Sequence, residues 1–302
     1  MKTLKRITFF GLIVTMFLLS FTSPAFGYDL QKRFIPSNAR WLINIDLKVL
    51  FKTKIWDSIY NEGKGKLHDG KEKLLKELNF DIFSDLNSVT IYGREKANKD
   101  GVVILSGNFD REKILQKLKS LKKTKKFKYN NFDIYNWDKD GYGSFVSKNL
   151  LVITHSRENL EYALNVIRGK NLNFMGSDLS KRLKEIPHDS ILFTLVGDIS
   201  SLIGKHHDAP IMINKSKMAL FLVLEKNSDM KLSLKLHTES PEAAKNIMQI
   251  GNGLLALARL SKKELKGKEQ LLNSINISAN GKVVKALMLI PSDFILKNIH
   301  KH

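Results

Sequence analysis

The stretch KLSLKLHT (231–238) alternates apolar and polar residues, the period-two pattern of a strand with one face packed and one in water. Preceded by MALFLVLEK and the polar break NSD, it predicts a strand, a turn and a second strand. In ESPEAAKNIM, Ser240 then stands as an N-cap, Pro241 occupies the first helical position and Glu242 follows in the first turn. The same succession occurs earlier. SVTIYGREKANKDGVVILSGNFDREKILQKL (88–118) reads as strand, polar turn, strand and a helix capped by Asp110.

The openings of these two stretches also match. IPSNARWLINIDLKVLF (35–51) and IPHDSILFTLVGDISSLI (186–203) each pass from Ile-Pro into an apolar run, then an acid (Asp46, Asp198) and further apolar residues. Each half closes with strands and a helix. In the first, Ser156 caps RENLEYALNVIRG, whose residues 160, 163, 164 and 167 share a face before Gly169. In the second, INISANGKVVKALMLIP predicts a hairpin about Asn280-Gly281, followed by DFILKNI. The pattern therefore predicts an α+β fold made of two related copies of a strand–helix–hairpin–helix–meander unit with largely antiparallel sheets. The copies are expected at 28–175 and 176–302, joined through GKNLNFMGSD, with residues 1–27 set apart.

FKYNNFDIYNWDKDGYGSFVSKNLLVITHSRENLEYALNVI resembles a pattern of secreted bacterial proteins of unknown function that carry a duplicated α+β domain: Y-x-N/G-x-x-I-Y, a Gly-Tyr strand, an apolar strand and a helix S-x-x-x-L-x-x-A-L. The resemblance covers about residues 35–170 and, more loosely, the second half. It implies export and the fold, and it brings no catalytic residue.

Residues 1–27 explain that export. Lys2, Lys5 and Arg6 precede a short apolar core, and Ala25-Phe26-Gly27 offers small residues for cleavage between Gly27 and Tyr28. The protein is expected in the periplasm or extracellular space; the alternative is a membrane tether formed by an uncleaved N-terminal segment. Cysteine is absent, which excludes disulfides, a thiol nucleophile and a lipidated cysteine.

Fifty Lys and Arg face thirty Asp and Glu, a formal charge of +20. Such a balance either attracts an anionic envelope polymer or membrane surface or reflects composition, since Lys far outnumbers Arg. Nucleic acid is not expected as a partner of an exported chain, and the oligomeric state stays open. The densest cationic run, KLKSLKKTKKFKYNNFDIYNW (117–137), gathers Lys117, Lys119, Lys122, Lys123, Lys125, Lys126 and Lys128, followed by aromatic residues. These lysines are the candidate anionic-surface site; their alternative role is a solvated helix end.

Chemistry-bearing patterns are otherwise incomplete. GKLHDGKE (65–72) begins like a phosphate loop but puts Glu72 where Ser or Thr is needed, so no nucleotide is expected. Asn136, Asp138, Asp140 and Gly141 match the start of a calcium loop, but Ser147 replaces its closing Glu, and a strand turn explains them. The histidines at 68, 155, 188, 206, 207, 237, 300 and 302 lack zinc-site spacing, and adjacent His188, Asp189 and Ser190 cannot form a relay. No metal, cofactor or catalytic residue is expected. The reading is an exported non-catalytic binding or structural protein of the cell envelope. Its alternative is a hydrolase with carboxylates, Asp46 and Asp198 above all, in a cleft between the copies.

Overall fold

The structure, a computed structural model, describes residues 30–62, 66–95, 101–120, 124–199, 215–260 and 269–299. Period-two segments become the strands of one antiparallel sheet. These are β1 (Trp41–Asp46), β2 (Leu86–Gly93), β3 (Val102–Gly107), β4 (Lys125–Tyr129), β5 (Phe132–Asp138) and β6 (Gly141–Ser147), then β7 (Leu150–Thr154), β8 (Leu192–Gly197), β9 (Ser216–Lys226), β10 (Asp229–Thr238), β11 (Asn276–Asn280) and β12 (Val283–Ile290). Their order is β11-β12-β10-β9-β8-β1-β2-β3-β7-β6-β5-β4. The fold is α+β, as the alternation predicts.

The strands that follow the two Ile-Pro dipeptides, β1 and β8, pair directly at the centre. Ile43 lies opposite Thr194, and these two are separated by the same interval as Ile35 and Ile186. Outward from this pair the order is β2, β3, β7, β6 on one side and β9, β10, β12, β11 on the other. The two halves thus share one sheet, not a sheet each.

Helices cover both faces unevenly. On one face, α6 (Arg157–Ile167) sets Leu160, Ala163 and Leu164 against Val102, Ile104, Leu150 and Val152. Leu195 and Leu222 extend this core beneath Phe174 and Leu183 of the connecting segment. On the opposite face lie α1 (Leu47–Leu50), α2 (Lys54–Glu62), α3 (Lys66–Leu78), α4 (Ile82–Asp85) and α5 (Arg111–Ser120), over Val89, Leu105, Ile153 and Val223. α7 (Pro241–Leu260) packs Ala244 and Ile247 on Val284 of that same face. α8 (Glu269–Ser274) meets the edge of β12, where the Ser274 hydroxyl donates to the Leu289 carbonyl and accepts from its N–H.

The symmetry breaks at the last helix. α6 follows β7 and covers the first face; α9 (Ser292–Ile299) follows β12 but joins α2, placing Ile295 and Leu296 beside Val49, Ile55 and Ile59 on the other. Caps form where the sequence places them. Asp110 accepts from Lys113 N–H at 3.0 Å, Ser156 from Asn159 N–H at 3.1 Å and Ser240 from Ala243 N–H at 3.1 Å. The last hairpin is shifted by one residue from expectation. Asn280 pairs with Val283, so Gly281-Lys282 make the turn and Gly281 carries the positive φ of 52°.

Candidate functional site

The lysine run does not stay together. α5 ends at Ser120, and Lys117 on it pairs with Glu77 at 3.0 Å; Lys119 projects from its exposed end. Lys122 and Lys123 lie outside the described residues. Lys125, Lys126 and Lys128 are on β4, the edge strand, where alternate residues point to opposite faces. Lys126 and Lys128 reach Asp133 on β5 at 2.9 and 3.2 Å, and Arg111 approaches it at 3.9 Å. Hydrogen bonds from Lys126, then Lys128, outweigh burial and hold the Asp133 carboxyl below its ordinary range. The run lacks an acid in sequence, but the β4–β5 pairing supplies one. Lys119 and Lys125 remain without an acid partner among the described residues.

The two carboxylates of the hydrolase alternative are not brought together. Asp46 is buried and accepts the Val49 N–H at 3.1 Å, capping α1. Its own N–H donates to Ile191, just before β8, whereas Asp198 follows the far end of that strand. Seven residues of extended chain separate those points, on the order of 20 Å. Direct pairing of β1 with β8 also leaves no cleft between them.

The calcium-like stretch is a strand turn. Asp138 pairs with Gly141, and Asn136 Nδ2 donates to the carbonyls of Asp138 and Gly141. Trp137 lies over Gly141 and Gly143, where a Cβ would meet its indole. Among the described residues no group of three or more His, Asp and Glu is arranged to hold a metal. A surface concavity of about 490 Å³ is lined by Asn79, Asp81, Ser84, Asp85, Asn108 and Asp110. Its carboxylates serve the backbone: Asp81 accepts from Phe83 N–H, Asp85 from Asp81 N–H and Asp110 from Lys113 N–H.

One ionic cluster has no counterpart in the sequence reading. At the end of the connecting segment, Glu185 accepts from Arg182 at 3.0 Å and from Lys235 of β10 at 3.1 Å, with His237 Nε2 at 3.7 Å. Burial pushes Glu185 upward, but the hydrogen bonds from Arg182 and Lys235 prevail and its pKa is lowered. His237 is lowered too, first by burial and then by the nearby Arg182 charge. Arg182 Nε is buried without an acceptor, so the cluster is rich in donors and poor in acceptors. Fifty residues separate Glu185 from Lys235, which is why no local motif announces it. His206, His207, His300 and His302 lie outside the described residues, and so does the side chain of His68.

No known family profile matches the chain, and no curated protein matches it in sequence. Solved structures do match in shape. Crystal form III of TP0453 aligns at a TM-score of 0.56 with 10% identity, over 90% of this chain and 98% of that one. Crystal form I of TP0453 aligns at 0.53 with 11% identity, over 89% and 95%. At that identity the likeness is one of architecture: this chain has the fold of TP0453.

Proposed function

We propose that this is an exported, non-catalytic binding or structural protein of the cell envelope that associates with anionic surfaces. The observation that carries the reading is the cationic edge of the sheet. There Lys119 and Lys125 stand without acid partners among the described residues, next in sequence to Lys122 and Lys123. A positive field at one edge of a molecule of charge +20 raises the local concentration of polyanions.

A second reading draws on the position of β4. An unpaired edge strand invites association with another edge, and lysines on it prevent this. Both readings are tested by neutralising Lys122, Lys123, Lys125 and Lys126 to Gln in the native cells. If the lysines anchor the protein, the variant leaves the envelope fraction at lower salt than the wild type. If they guard the edge, the salt needed for release is unchanged and the purified variant forms larger species in sedimentation. An unaltered salt threshold with an unaltered size removes this segment from both roles.

A further inference from the structure

The first half of the sheet shows what its upper face is built to do. Val102 and Ile104 of β3 and Leu150 and Val152 of β7 are apolar there, and α6 covers them. The strands in the matching places of the second half, β10 and β12, carry different residues on that face. β10 contributes Lys231, Ser233, Lys235 and His237, and β12 contributes Val283, Lys285, Leu287 and Leu289. Among the described residues no α-helix equivalent to α6 packs here, because α9 has gone to the opposite face and α7 contacts Leu236 and Val284. Only the end of the connecting segment reaches this face, with Glu185 on Lys235 and His237, and Ser233 is buried. The stems of Lys231 and Lys235 run beside Leu224 and Leu220, their cross-strand neighbours on β9.

The register sets three polar groups in a row across neighbouring strands. Lys235 is opposite Lys285, and Lys285 is opposite Ser278 of β11. Adjacent strands are about 4.8 Å apart, so two ammonium groups and a hydroxyl stand within reach of one small ligand. Like charges directly opposite each other destabilise a sheet. The acids facing this row do not offset it. Glu185 is shared among Lys235, Arg182 and His237, while Asp229 at the start of β10 accepts from Ser292 N–H. Lys231 and Lys285 have no acid partner among the described residues.

We propose that the outer part of this face, toward β11, seats a phosphate-type anion, held by the ammonium groups of Lys235 and Lys285 and the Ser278 hydroxyl, with Lys231 adding to the field. The site rests on the reading of an anionic partner given above and names its chemistry at a place distant from β4. Phosphate oxygens supply the acceptors that the row lacks, through charge-assisted hydrogen bonds. Leu287 and Leu289, the latter 41% exposed, give an apolar shelf beside the seat that suits a phosphate ester carrying an apolar group. Free phosphate and a lipid headgroup both present this chemistry.

The test is a titration of the purified protein, followed by backbone amide shifts. One arm uses inorganic phosphate, and the other uses phosphatidylcholine vesicles with and without phosphatidylglycerol. The expected result is a change at Lys235, Lys285 and Ser278. Response to inorganic phosphate assigns a free anion; response only to the phosphatidylglycerol vesicles assigns a headgroup. Lys285→Glu should weaken the effect about tenfold, the loss of one charge-assisted bond, while Lys48→Glu on α1, over the opposite face, leaves it unchanged. Lys285→Gln, which adds no charge of its own, guards against a folding defect. No shift in either arm, or equal binding by the Lys285 variants and the wild type, overturns the seat. Loss of the seat with salt-dependent envelope release intact leaves the broader reading standing; shifts without envelope association reverse that outcome.

Discussion

Trp137 shows how a single residue explains a motif that resembles something else. Its indole covers Gly141 and Gly143, so these glycines are small because an aromatic ring occupies their side-chain space. Gly141→Ala should therefore lower stability by about 1–3 kcal/mol in denaturant unfolding, with no change on adding calcium. The ionic cluster predicts a pH dependence. Glu185 has a lowered pKa in the folded state, so its contribution is complete above the ordinary value of 4.5 and is lost as pH falls through the lower folded one. His237 acts in the same direction: below its ordinary value of 6.5 the unfolded chain takes up a proton that the folded one refuses. Thermal midpoints should fall on acidification below that value, and His237→Gln should flatten the upper part of the decline. A midpoint curve that His237→Gln leaves unaltered would remove His237 from this account. Asp110, Ser156 and Ser240 were legible as caps because a cap and its N–H lie three residues apart. The cluster of Glu185 was not, since beyond the local Arg182 its partners Lys235 and His237 come from a strand some fifty positions on.

Elements follow local chemistry until tertiary pairing overrides it. Alternation identified β10 and its partner β9, and the turn between them, Asn227-Ser228, has positive φ at both residues, 53° and 71°. Such a turn suits the twist of a hairpin, but Ser is a poor occupant of its second position. Ser228→Gly should raise stability by about 1 kcal/mol, read as a higher urea midpoint at unchanged slope. The hairpin at β11–β12 moved one residue from its predicted turn because the pairing of Asn280 with Val283 placed Gly281 first in the loop. The lysine run gave a misleading impression of unity. Strand alternation sends Lys125 to one face and Lys126 and Lys128 to the other, where Asp133 awaits them, and sequence spacing alone does not reveal that acid.

At the scale of the whole molecule, the repeated Ile-Pro openings made the halves visible but not their junction. A duplicated pattern is compatible with two sheets facing across a cleft or with one sheet sharing its central strands. The choice is made by main-chain pairing between β1 and β8, which has no side-chain signature. The same limit hid the open face beside β11. Nothing in DFILKNI says that its helix crosses away from the face that α6 covers in the first half.

The central pairing has a consequence for how the chain comes apart. The connecting segment passes Gly169 and the solvent-facing Leu172, where a protease site could be engineered. Yet the fragments on either side of that cut meet along β1 and β8, through the pairs from Trp41 with Val196 to Ile45 with Leu192. A nicked protein should elute as one particle in gel filtration and separate into two only in denaturant. The first strand is then a clasp closed by residues made much later in synthesis. Until β8 is in place, the inner edge of the first half stays unpaired and open to the edge-to-edge association that a sheet must avoid.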